Sequence, residues 1–217
     1  MTAEQVIARI RRALMLDATA YEETRDDNAF TVVSLAAAGL AVLLGAIGAW
    51  LWASTVLEST PDGWFVDTVI LGTIFLLILW LIGIGVMYLI LAQLYGEQLT
   101  PDALVRVATL GHLPFALSLL VFIPEIGFGF AMLGIAATFF YTNFAIRAAY
   151  PQIDTMRVML AVVAGFAVWL FILPILTSGG DAYAPGPFVY EWSADVVESG
   201  LGTIADLGDL NIPETTQ

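Results

Sequence analysis

Leu110-Gly111-His112-Leu113-Pro114-Phe115 sits inside the third of five apolar stretches, residues 107–123, and its reading decides the fold. At about 17 residues the stretch only just crosses the hydrocarbon layer of a bilayer. It also carries the chain's one histidine and a helix-breaking proline, which makes it the least lipid-like of the five. Two longer apolar stretches precede it and two follow, at about residues 30–52, 64–94, 126–146 and 158–176.

With 59% apolar and 12% charged residues, the 217-residue chain cannot cover a water-facing surface. The expected fold is therefore an all-α integral membrane protein of five transmembrane helices, with a short N-terminal amphipathic helix and an acidic C-terminal tail. This divides the chain into 1–28, a cytoplasmic amphipathic and acidic segment; 29–177, the five-span domain; and 178–217, an extracytoplasmic tail with a short helix near 193–207.

The absent residue types remove function classes. There is no cysteine, so thiolate nucleophiles and zinc–cysteine sites are excluded. No Ser-His-acid order, paired intramembrane aspartates or glycine-rich phosphate loop is present, so no catalytic, cofactor-binding or metal site is expected. A net charge of -13 disfavours nucleic acid.

All seven basic residues are arginines, and they fall in alternate gaps of a five-span chain. Arg9, Arg11, Arg12 and Arg25 precede span one, Arg106 precedes span three, and Arg147 and Arg157 flank the gap before span five. The intervening gaps hold carboxylates and no basic residue. The positive-inside rule then puts the N-terminus in the cytoplasm and the C-terminus outside.

Val6, Ile7, Ile10, Leu14 and Met15 recur at helical spacing beside Arg9, Arg11 and Arg12. Two placements fit this amphipathic helix: the cytoplasmic headgroup layer, or the ends of the spans. A secretory leader would continue into an apolar core, whereas this chain turns acidic at 17–27, so no cleaved leader is expected. Thr19 and Glu22 have the capping-box spacing for a second short helix at 20–26. In span one, Ala37, Ala41, Gly45 and Ala49 line one face that should lie against protein, within the chain or at a dimer seam. Some 30 residues of span two would measure about 45 Å as an α-helix, so tilting or projection is expected.

The arginine-rich start, the segment 17–28 leading into span one, Leu94-Tyr95-Gly96 followed by 100–114, and Thr142-Asn143-Phe144 ahead of Arg147 resemble the bacterial branch of the Yip1-domain membrane proteins. The likeness covers roughly residues 8–176. It implies five spans with a cytoplasmic N-terminus, as in the family's eukaryotic members, which are associated with Rab GTPases and vesicle trafficking. In eukaryotic members the third span has a glycine-tyrosine run before its proline; here the run is Gly111-His112-Leu113-Pro114.

The candidate intramembrane polar site is His112 and Pro114 with Asn143 and Thr138 as expected hydrogen-bond partners. Arg9, Arg11, Arg12, Arg106, Arg147 and Arg157 are candidate contacts to lipid headgroups. Trp192, Val196, Leu201 and Ile204 form a stripe on the tail for docking a partner. The expected function is a non-catalytic scaffold or accessory subunit whose partners are membrane lipids and a protein within the membrane. A small transporter or channel built on His112 and Pro114 is the alternative.

Overall fold

The computed structural model describes residues 2–56, 63–123 and 125–177, with the side chains of 56 and 173–177 left aside. The acidic tail, with Trp192, Val196, Leu201 and Ile204, lies outside the described residues. Two short helices, α1 (Ala3–Leu14) and α2 (Ala18–Asp26), precede five helices long and apolar enough to cross a membrane. These are span one, Asn28–Thr55; span two, Val66–Leu94; span three, Pro101–Phe122; span four, Gly127–Ala149; and span five, Thr155–Ile172 within a helix that continues to Thr177.

The capping signals sit differently from the sequence reading. The capping box forms at Thr2 and Gln5, where each side chain accepts from the other's backbone N–H, and it starts α1. Helix α2 starts two residues before the expected Ala20, because the Asp17 carboxylate already accepts from the backbone N–H of Thr19 at 3.0 Å. Between the two helices, Leu16 takes a left-handed φ of 59°. Its N–H and that of Asp17 bond to the carbonyls of Ala13 and Arg12, the two-bond pattern that closes helix C-termini.

Span three is the axis of the bundle. Of an 18-residue apolar stretch within it 67% is buried, against 33% to 39% of the same length in each other span, and no residue between Ala103 and Ile123 is exposed. It begins at Pro101, six residues earlier than expected, because Arg106 is neutralised inside the fold rather than marking a polar boundary. It is not one helix. A proline ring clashes with the carbonyl four residues back and removes a donor, and the α-helical half ends at Leu110, four residues before Pro114. After Gly111 and His112 the chain continues as an unusually long 3₁₀ helix, Leu113–Phe122. At about 2.0 Å per residue this narrow winding advances some 20 Å where an α-helix would advance about 15 Å. The short third stretch thereby gains reach across the bilayer.

Span two shows the opposite adjustment. Its 29 residues begin and end in π-helical turns, Val66–Leu71 and Leu89–Leu94, wider turns that advance less per residue and absorb part of its excess length.

Small residues let the other spans close on this axis. On span one, Ala41, Gly45 and Ala49 are buried, and a Cβ on Gly45 would meet the Phe115 ring at 3.0 Å. The expected small-residue face is thus packed within the chain at these positions. Spans two and five cross at Gly83 and Gly165, where a Cβ on Gly83 would lie 2.8 Å from the Gly165 carbonyl oxygen. Gly85, two residues on, faces open space.

These two glycines should respond oppositely to alanine. Gly83→Ala forces the crossing apart and should cost about 1–3 kcal/mol in thermal unfolding in mild detergent. Gly85→Ala removes only a poor helix former and should gain up to about 1 kcal/mol. Equal effects would refute the close crossing.

Candidate functional site

The break before Pro114 sets the environment of His112. Gly111 lies so close to span four that a Cβ would fall 2.8 Å from the Thr142 Cα. The fully buried imidazole beyond it packs into an aromatic box. Its centroid is 4.4 Å from that of Trp80 on span two, 5.1 Å from Phe115, to which it stacks at 21°, and 5.9 Å from Trp169 on span five. Phe166 closes the cluster, 5.2 Å from Trp80 and 5.9 Å from Trp169.

Neither imidazole nitrogen has a hydrogen-bond partner among the described residues. The expected pairing with Thr138 or Asn143 is not made. Thr138 donates to the Gly134 carbonyl of its own helix at 2.7 Å, and the Asn143 amide nitrogen is itself unpartnered. The physical reason is direction: both residues lie on span four, whereas the imidazole is held among rings from spans two, three and five. Within the described residues no group of three or more His, Asp and Glu side chains is placed to hold a metal ion.

Trp80 and Trp169 are the residues that sequence reasoning missed. Tryptophan belongs at the membrane interface by preference, so one in the middle of a long apolar run signals a buried packing role. Both are fully buried.

The arginines form a belt at one end of the bundle, and most are spent inside the fold. Arg106, 3% exposed, donates to the Thr24 and Arg25 carbonyls in the last turn of α2 at 3.2 and 2.7 Å, to Thr31 Oγ1 at 3.2 Å, and to the Asp102 carboxylate at 2.7 Å. One cation thus closes a helix C-terminus and joins α2 to spans one and three. Arg25 does the same for span four by donating to the Ala149 carbonyl, while pairing with Asp26 at 2.7 Å. Its guanidinium also sits 5.7 Å from the centroid of Tyr150, whose hydroxyl is buried and has no hydrogen-bond partner among the described residues. Burial pushes that phenol up to about 12.

Arg9 pairs with Asp27 at 2.9 Å and lies over the Phe30 ring, Arg12 binds Glu23, and Arg157 binds Glu97 at 2.6 Å. The hydrogen bond from Arg12 holds the Glu23 carboxyl below its ordinary range, and that from Arg25 does so for Asp26. Of the six arginines expected at lipid headgroups, Arg9, Arg12, Arg106 and Arg157 are therefore engaged by protein groups. The acidic run 17–27 and the facing helix ends reach them first. Arg11 and Arg147 are exposed and have no ion pair among the described residues.

No protein-family model, no curated protein and no solved structure matches the chain.

The aromatic box makes a prediction that hydrogen bonding to span four would reverse. His112→Phe keeps the ring contacts and removes two orphaned nitrogens, so its stability should stay within about 1.5 kcal/mol of the parent. His112→Gln keeps polar atoms and loses the stacking, and should cost roughly 1–3 kcal/mol. Thermal unfolding of both variants in mild detergent decides the matter: a glutamine variant more stable than the phenylalanine one would contradict the box.

Proposed function

We propose that this protein is a non-catalytic scaffold or accessory subunit of a membrane assembly, similar in role to the Yip1-domain proteins its sequence resembles. Its N-terminus and arginine belt face the cytoplasm and its C-terminal tail lies outside. The orientation is supported by the positive-inside rule, now with the arginine-bearing helix ends tied to one another through Arg25, Arg106 and Arg157.

The observation that carries the role is the filled axis. Where spans two, three and five meet, Trp80, His112, Phe115 and Trp169 form a closed circuit of ring contacts, so the chain's one histidine serves packing. A bundle packed in this way offers surfaces to its surroundings: lipids around the spans and a protein partner within the membrane. The tail at 178–217 supplies a second point of attachment outside. A small transporter is favoured by one feature, the interruption of span three at Gly111 and His112, since broken helices line many transport sites.

Because the chain has no cysteine, single cysteines report topology cleanly. Cysteines replacing Gln98 and Gln152 should resist an impermeant thiol reagent applied to intact cells, while one at Ser59 should react. Purified protein in proteoliposomes should pass neither protons nor small ions, and deletion of 193–217 should leave insertion intact while releasing a partner that co-purifies in mild detergent. Flux that disappears in His112→Phe would establish the transporter reading instead.

A further inference from the structure

We infer that α1 is an interfacial anchor whose outer face, Ile7, Arg11, Leu14 and Met15, lies in the headgroup layer at the arginine-bearing end, with Arg11 and Arg147 binding the phosphates of anionic phospholipids.

Depth is the first observation. The Tyr141 hydroxyl donates to the Leu14 carbonyl at 2.8 Å, which fixes the end of α1 against the flank of span four. Span four runs Gly127–Ala149, and a 30 Å hydrocarbon layer laid along it from Gly127 ends near Arg147 at about 1.5 Å per residue. Tyr141 then lies within two turns of that boundary, and its hydroxyl holds the last turn of α1 at the arginine-bearing end of the span. At such a boundary amphipathic helices bury their apolar faces about 5–10 Å into the region between headgroups and chains.

The exposed face is the second. Ile7, Leu14 and Met15 are 65%, 43% and 66% exposed, on the side opposite the buried Ala13 and the half-buried Val6. Spacings of four, from Ile7 to Arg11 and from Arg11 to Met15, and of three, from Arg11 to Leu14, place these four residues on one stripe. Glu4 shares that side at the far end of the helix, so α1 enters with its C-terminal end deeper.

Charge is the third. Within a chain carrying 20 acidic residues, five arginines are taken by carboxylates of α2, of span three, or of the connections that follow α2 and span two. Among the described residues Arg11 on α1 and Arg147 at the cytoplasmic-side end of span four are left, both exposed. No carboxylate of the described residues pairs with them, and at the headgroup boundary the anion in reach is a lipid phosphate. Each basic residue near an anionic surface contributes about fivefold to partition.

The full-length protein in nanodiscs provides the test. A nitroxide on a single cysteine at Met15 is compared with one at Phe140, exposed on span four, and one at Glu22, exposed on α2. In phosphatidylglycerol nanodiscs the Met15 label should collide with dissolved oxygen and be shielded from a water-soluble nickel chelate, as at Phe140. Arg11→Glu with Arg147→Glu should shift it toward the Glu22 value, with a much smaller shift in phosphatidylcholine, while the Phe140 label stays unchanged and reports an intact bundle. Three results would each overturn the inference: a Met15 label as water-exposed as Glu22, one indifferent to the double substitution, or one shielded from both reagents, which would mean a second copy covers the helix.

Discussion

A hydrocarbon layer about 30 Å thick imposes one length on every helix that crosses it, and the local geometry of this bundle follows from meeting that length with unequal stretches of sequence. Span two has 29 residues and widens into π turns at both ends; span three has 22 and tightens into a 3₁₀ helix for its second half. In water either winding would be a local weakness. In a bilayer the backbone must stay paired within the segment, so a change of helical pitch is the adjustment that keeps the hydrogen bonds.

The same adjustment places span three at the centre. A 3₁₀ helix is slimmer than an α-helix, and Gly48 of span one approaches it so closely that a Cβ would come within 2.5 Å of the Ser118 and Leu119 carbonyls. Gly134 of span four closes on Ser118 from the other side. Pro114 is the covalent origin of the change, and His112 at the break is what the aromatic residues of spans two and five surround. At the arginine-bearing end, cations inside the fold take over from hydrophobic packing: Arg106 and Arg25 each cap the C-terminus of a helix distant in sequence.

How much of this is written visibly in the sequence depends on the range of the interaction. The five spans are legible because length and apolarity are properties of a segment alone, and the small-residue face of span one is legible for the same reason. The interruption of span three is announced by Pro114. The role of His112 is not, since its ring neighbours Trp80 and Trp169 lie 32 residues before it and 57 after it. The fate of Arg106 is equally hidden: it bonds to a carbonyl 82 residues earlier, and nothing near it separates a cation held in the fold from one that meets lipid. The N-terminal caps went to Asp17 and Thr2 because several polar residues there compete for the same N–H groups.

The central claim, that a broken third span is enclosed by the other four, is tested most directly by photolabelling the protein in a bilayer with an apolar diazirine that reacts from the hydrocarbon phase. The outward positions of span two, Ile74, Ile78 and Ile82, and Phe140 of span four should carry label, and the buried Phe115, Ser118 and Val121 of the 3₁₀ helix should carry none. Labelling of Phe115, Ser118 or Val121 at the level of Ile78 would contradict the arrangement.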